Sequence, residues 1–287
     1  MKTYIITTIF LLTTCISFAQ KKEKIKGNRN VTTVIYELDP FTTLEVKEDL
    51  EIVLINGTTP QVEVNADENL HEVFSIDVVD GTLSISTSKQ IRSHKKLEIF
   101  VTISEDLQRI YVESDAELKS MTTLNINKAE INAMGSAELD LRIKSDSLAI
   151  NSYGKTKQTY EIDTRELILT AFEDAKIKAN ISATKVTSQV EFGNVKVEGQ
   201  TDSLFLEVKE KGEFIAPLFK TKEVSVTTTE QAKVALNVSE KIQIDAHDNS
   251  EIELLGSPKT ITILKFEGEA VLRKVDENRK GFLKRIF

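Results

Sequence analysis

The stretch AFEDAKIKAN, residues 171–180, decides how this chain folds, because the same phrase is written repeatedly along it. AMGSAELDLR from Ala133, EFGNVKVEG from Glu191 and TTEQAKVALN from Thr228 keep one order: apolar residue, turn, small residue, charge, apolar residue. Aligned on the small or apolar residue two places after the turn, the copies fall at Ala116, Ala137, Thr156, Ala175, Val195, Glu213, Ala232, Ser250 and Ala270, with successive differences of 21, 19, 19, 20, 18, 19, 18 and 20. Nine copies at a nearly fixed period, with no helical pattern inside the period, mark a solenoid.

What lies inside each period selects the kind of solenoid. Upstream of the turn stand alternating pairs such as Ile110/Val112, Leu167/Leu169 and Ile242/Ile244; downstream stand Ala116/Leu118, Ala175/Ile177 and Ala232/Val234. Each repeat therefore reads as two short period-2 strands joined by a tight bend. The upstream parity slips before Gly193 and Lys211, and the Glu213 slot is polar, so a bulge or a displaced alignment is expected in those two rungs. Stacking puts each strand about 4.8 Å from its copy one period later, with apolar ladders inward and exposed ladders outward.

The preceding stretch has a different texture. Asn56-Gly57 separates EDLEIVLI from PQVEVNA, and Asp80-Gly81 separates VFSIDVV from TLSISTS, so two antiparallel hairpins are expected, with LEIFVTI from Leu97 completing their sheet. Asp39-Pro40 reads as a turn into a first strand at Phe41. The expected fold is all-β: an antiparallel N-terminal section over 31–106 that caps a parallel β-helix or β-roll of about nine two-stranded rungs over 107–275.

Both ends of the chain read as something other than this fold. Lys2, an uncharged run to Phe18 and the small-x-small Ser17-Phe18-Ala19 form a secretory signal with cleavage after Ala19, which predicts an exported protein of the periplasm or cell surface. Cys15 raises the rival of a lipidated protein, but Thr14 is larger than the residue such signals place before the cysteine. With Cys15 removed, no cysteine is left for a disulfide or thiol chemistry, and no later apolar run approaches the ~18 residues of a membrane-spanning helix. Residues 276–287 form a basic amphipathic tail in which Phe282, Leu283 and Ile286 share one helical face; a plug over the last rung is expected, ahead of contact with anionic membrane. The net charge of −8 gives no whole-molecule attraction to nucleic acid, which is not expected as a partner.

Several phrases carry a family resemblance. FTTLEV at Phe41, LEIFVTISEDLQRI at Leu97, bends at Gly135-Ser136, Gly154, Gly193, Gly212 and Gly268, and LLGSPKTITI at Leu254 together resemble the bacterial family called putative auto-transporter adhesin, head GIN domain. Glu173, Glu230 and Asp248 stand where that pattern would place glycine. The resemblance implies an antiparallel start followed by a β-helix or β-roll, and adhesion in place of turnover; it brings no catalytic residue and no cofactor.

Motifs of chemistry are sparse. His71, His94 and His247 are the only histidines and show no metal-ligand spacing, and no nucleophile elbow, Walker loop, dinucleotide fingerprint or calcium nonapeptide occurs. Polysaccharide lyases and hydrolases on β-helices build sites from acids and bases on adjacent rungs, so such an enzyme is the alternative reading, although fold alone does not establish it. The outward slots place Lys157, Lys176 and Lys196 in one expected ladder with Lys178 beside it, a candidate strip for an acidic polysaccharide or an envelope protein. Ser147 and Ser203, in Asp146-Ser147-Leu148 and Asp202-Ser203-Leu204, resemble acceptors of periplasmic O-glycosylation.

Overall fold

The structure, a computed structural model, describes residues 22–275. Ala19, Cys15 and the tail 276–287 lie outside the described residues. The chain is a β-solenoid of about nine turns of parallel stacked strands, with antiparallel strands at its N-terminal end.

Parity explains the shape of a rung. In the strand Glu138–Ser152 the buried residues are first Leu139, Leu141 and Ile143, then Leu148, Ile150 and Ser152. The inward set passes from odd to even positions at Asp146, so the strand bends there, and its halves belong to two facing sheets. The register shows the same corner: Ser145 pairs Thr164 and Ser147 pairs Glu166, while Asp146 and Arg165 are skipped. A tight bend at the other end returns the chain, and Lys157–Phe172, Lys176–Glu191, Asn194–Lys209, Glu213–Thr228 and Lys233–Ala246 repeat the path. The tight bends need one residue with left-handed backbone. Gly135, Gly154 and Gly268 supply it at φ 74°, 81° and 73°, and Glu173, Glu230 and Asp248, where the resemblance looked for glycine, adopt φ 59°, 57° and 58°.

The register corrects the alignment at two rungs. Lys176 pairs Asn194, and Asn194 pairs Glu213, so the small residues in step with Ala175 are Gly193 and Gly212; Val195 and Glu213 do not hold that slot. Val195, Phe214 and Ala216 point inward. At the first of these rungs the cause is a shorter bend. From the last inward residue to the first residue after the bend the chain advances from Ala171 to Lys176, but only from Val190 to Asn194. The expected bulge is also present: Ala216 pairs Leu236 and Lys220 pairs Asn237, so Pro217, Leu218 and Phe219 are extra to the ladder. A proline, which has no N–H to donate, belongs at such a place.

The N-terminal section is only partly antiparallel. Phe74–Val79 and Thr82–Thr87 form the hairpin expected at Asp80-Gly81. Asn56-Gly57 does not make a hairpin. Glu51–Asn56 pairs in parallel with Glu117–Ser120 on one side and Leu97–Ile103 on the other, and Gln61–Asp67 lies beyond Leu97–Ile103, antiparallel to it and to Val31–Glu37. Thr43–Val46 likewise stacks in parallel between Arg109–Val112 and Thr82–Thr87. The parallel stack thus continues below residue 107 with rungs out of chain order. Two strands also precede Phe41, Lys24–Lys26 and Val31–Glu37, so the turn at Asp39-Pro40 does not open the first strand.

Asp67 fastens this end. Fully buried, its carboxylate accepts the backbone N–H groups of Arg29 at 3.0 Å, Lys95 at 3.1 Å and Lys96 at 3.2 Å. Burial alone would raise its pKa; those N–H groups and the nearby His94 outweigh burial and hold the carboxyl below its ordinary 3.8. A carboxyl with a lowered folded pKa stabilises fully above 3.8, and that contribution is lost as pH falls through the folded value. Asp67→Asn should therefore lower the thermal midpoint at pH 7, and its gap from the native chain should close on acidification below about pH 4. A gap that is absent at pH 7, or that does not change with pH, would refute this role.

Candidate functional site

The lysine strip lies on the sheet that follows the tight bends. The strand register places Lys157 directly beneath Lys176, and Lys178 directly beneath Lys196. The expected single ladder of Lys157, Lys176 and Lys196 is thereby corrected. Asn194 occupies the place above Lys176, because the bend at Gly193 is one residue short and shifts Lys196 into the next column. The strip is a two-column patch over three rungs, with Thr159 below Lys178.

Charge is distributed unevenly within the patch. The outward residues in the first half of the middle rung are Lys176, Lys178, Asn180 and Ser182, all exposed and none acidic. Lys157 donates to Glu138 Oε1 at 2.6 Å, and that bond holds its ammonium above the ordinary pKa. Stacked lysines about 5 Å apart in water repel by somewhat under ~1 kcal/mol, a penalty each column readily tolerates. Glu138 and Asp140 border the patch below, and Glu198 and Glu213 above. The relief is shallow: a depression of about 290 Å³ lies between Lys178, Lys196, Asn180 and Glu198, and a groove of about 530 Å³ runs past Lys157, Lys176 and Lys178.

Beneath the patch is a buried polar network that sequence reasoning missed. The Tyr160 hydroxyl donates to Gln158 Oε1 at 2.6 Å, and Gln158 Nε2 donates to Ser152 Oγ at 2.7 Å and Thr156 Oγ1 at 3.0 Å. Burial pushes the Tyr160 phenol upward, so it stays a neutral donor. The signal was present, since Gln158 holds an inward parity position between Lys157 and Thr159. The network fixes the strand from which Lys157 projects.

Ser147 and Ser203 fall in one outward column, with Glu166 and Lys185 between them. Both are half-buried, and Leu148 and Leu204 behind them point inward. The recurring acid-serine-leucine pattern is thus the second corner of a rung: charge at the corner, small residue outward, aliphatic inward. A groove of about 660 Å³ follows these corners, and its walls carry the ion pairs Arg165–Asp146 at 3.4 Å and Lys222–Asp202 at 2.7 Å. His247 sits between Asp245 Oδ1 at 2.6 Å and Glu267 Oε2 at 3.3 Å, while His71 faces Thr32 at the far end. Among the described residues no group of three His, Cys, Asp or Glu is placed to hold a metal ion.

The comparisons bear on this geometry. Residues 40–161 and 154–258 match the family described as putative auto-transporter adhesin, head GIN domain. The chain belongs to that family. Solved structures of similar fold include a putative adhesin from Parabacteroides merdae ATCC 43184 at 17% identity, with a TM-score of 0.63 over 88% of this chain and 99% of that one. A putative adhesin from Parabacteroides distasonis ATCC 8503 gives 16% identity and a TM-score of 0.63, covering 88% of this chain and all of that one. A putative lipid binding protein from the same organism gives 19% and 0.61, with 88% and 100% covered. Identities this low establish the shared fold and nothing finer. No curated protein matches the sequence.

Proposed function

We propose that this adhesin-family solenoid is exported and works without turnover, as a rigid scaffold whose lysine patch holds an acidic polysaccharide of the cell envelope or its surroundings. The observation that carries the reading is the acid-free first half of the middle rung, Lys176, Lys178, Asn180 and Ser182, with Lys157 and Lys196 stacked on either side of it. A chain with net charge −8 has no general affinity for polyanions, so retention would have to be local. The stack spaces these charges at about 4.8 Å per rung, a pitch suited to a linear polymer lying along the axis.

The test is retention on immobilised alginate at about 50 mM salt, where screening is weak. The native chain should be retained and eluted by salt. Replacing Lys157, Lys176, Lys178 and Lys196 with serine should weaken binding on the order of 100-fold, and by no more than about 1,000-fold, since each exposed contact contributes at most about 1 kcal/mol. Four substitutions elsewhere, Lys89, Lys96, Lys222 and Lys259 to serine, make the same change in net charge and should leave retention nearly intact. Equal loss in both variants, or no retention by the native chain, would reject the patch. The alginate should gain no new reducing ends or unsaturated products, which the enzyme alternative requires. Protein recovered from the periplasm or cell surface should begin at Gln20.

A further inference from the structure

The two ends of the solenoid are finished differently. At the N-terminal end Thr82–Thr87 is covered by Phe74–Val79, and Leu97–Ile103 by Gln61–Asp67, which Val31–Glu37 covers in turn. At the other end Thr260–Phe266 pairs with Lys233–Ala246, and Val271–Lys274 with Glu251–Gly256; among the described residues neither strand has a partner on its outer edge. The consequence shows in one comparison. Ile242 and Ile244 are 0% exposed, but Ile261 and Ile263, their register partners in the last rung, are 50% and 53% exposed. Leu264 at 54% and Phe266 at 41% extend the same apolar end face.

An open strand edge backed by apolar side chains invites further pairing, and solenoids close such ends with a cap. We infer that residues 276–287 of the same chain fold back over the last rung and seat Phe282, Leu283 and Ile286 on Ile261, Ile263, Leu264 and Phe266. The segment begins where it is needed, because Val275 still donates its backbone N–H to Leu254 O at 2.9 Å, in the last rung. Twelve residues reach about 40 Å when extended, against roughly 23 Å for a seven-residue strand, so the chain has length to double back. Its order suits that path: Asp276 to Lys280 are polar and could cross solvent, and the apolar residues come after Gly281.

The test uses the full chain with Cys15→Ser, which removes the only cysteine. Ile263→Cys is combined in turn with Phe282→Cys, Leu283→Cys and Ile286→Cys, and each variant is oxidised with glutathione disulfide at low protein concentration. At least one pair should close an intrachain disulfide, which needs Cα atoms within about 7 Å, seen as a mass lower by two hydrogens in the monomer. Disulfide-linked dimers in place of monomers would show that a second copy covers the end face, and no disulfide in any pair would show that the tail does not; either overturns the inference. A second readout avoids cysteine. The chain ending at Val275 should bind a hydrophobic dye more strongly than the full chain and self-associate at tens of micromolar, while an unchanged monomer overturns the inference. Flotation with phosphatidylglycerol vesicles that depends on residues 276–287 would also overturn it, since it assigns the tail to a membrane.

Discussion

Phe214→Ala is expected to lower the stability of this protein by about 3–5 kcal/mol, the range for emptying a well-packed aromatic site. Phe214 is among the largest fully buried side chains, and it stands in an inward ladder between Val195 below and Val234 above. Neither valine can extend into the space a phenyl ring leaves, so the cavity should persist. The loss should also be local. In a solenoid each rung meets only its neighbours, and stability is approximately a sum of rung and interface terms. Weakening the interfaces on both sides of Phe214 should let the rungs after it open separately. Hydrogen exchange would then quicken over residues 213–275 and stay unchanged over 43–120. A loss below about 1 kcal/mol, or exchange quickened evenly along the chain, would contradict this account.

The period and the parity were legible because both are imposed locally. Ala116, Ala137 and Ala175 recur because the bend interior is narrow, and Leu139, Leu141 and Ile143 alternate because a strand shows alternate residues to the core. What misled was coincidence of type at short range. Val195 resembles a slot residue, yet the bend is one residue short and Gly193 holds the slot, so Lys196 moved one column across. The parity slip before Gly193 was the local signal of the short bend; the residues after the bend give none, because both alignments put Lys196 outward. Asn56-Gly57 has the composition of a hairpin turn, but Leu97–Ile103, whose residues pair 47 positions on, takes the place beside Glu51–Asn56. That pairing is settled by burial of Ile52, Leu54, Ile99 and Val101 together and not by the dipeptide. The lysines of the patch were all identifiable as outward; their two-column arrangement depended on a bend length marked only by the parity slip before Gly193.

Gly199→Val should cost about 3 kcal/mol or more, through backbone strain and a clash with the rung below. Gly199 adopts φ +108°, a conformation L side chains rarely take, and a β-branched residue takes least readily. A Cβ there would stand 2.2 Å from the carbonyl oxygen of Ile181 and 2.9 Å from Asn180 Oδ1. The carbonyl is backbone within a paired rung and cannot withdraw without breaking its ladder. The register explains why glycine is tolerated in a column otherwise filled by Ile143, Ile162 and Ile181: its partner in the next rung is Phe219, fully buried and carried by the bulge at Pro217. The same device recurs at Gly256, φ +72°, where a Cβ would lie 2.3 Å from Val238 O and 2.7 Å from Asn237 Oδ1. Gly199→Ala should therefore already destabilise, by about 1–3 kcal/mol. Adding Asn180→Ala should recover little, because the amide is the lesser obstacle. Denaturant midpoints of the three variants decide the matter: full rescue by Asn180→Ala would show that the side chain, and not the backbone carbonyl, excludes a Cβ at this position.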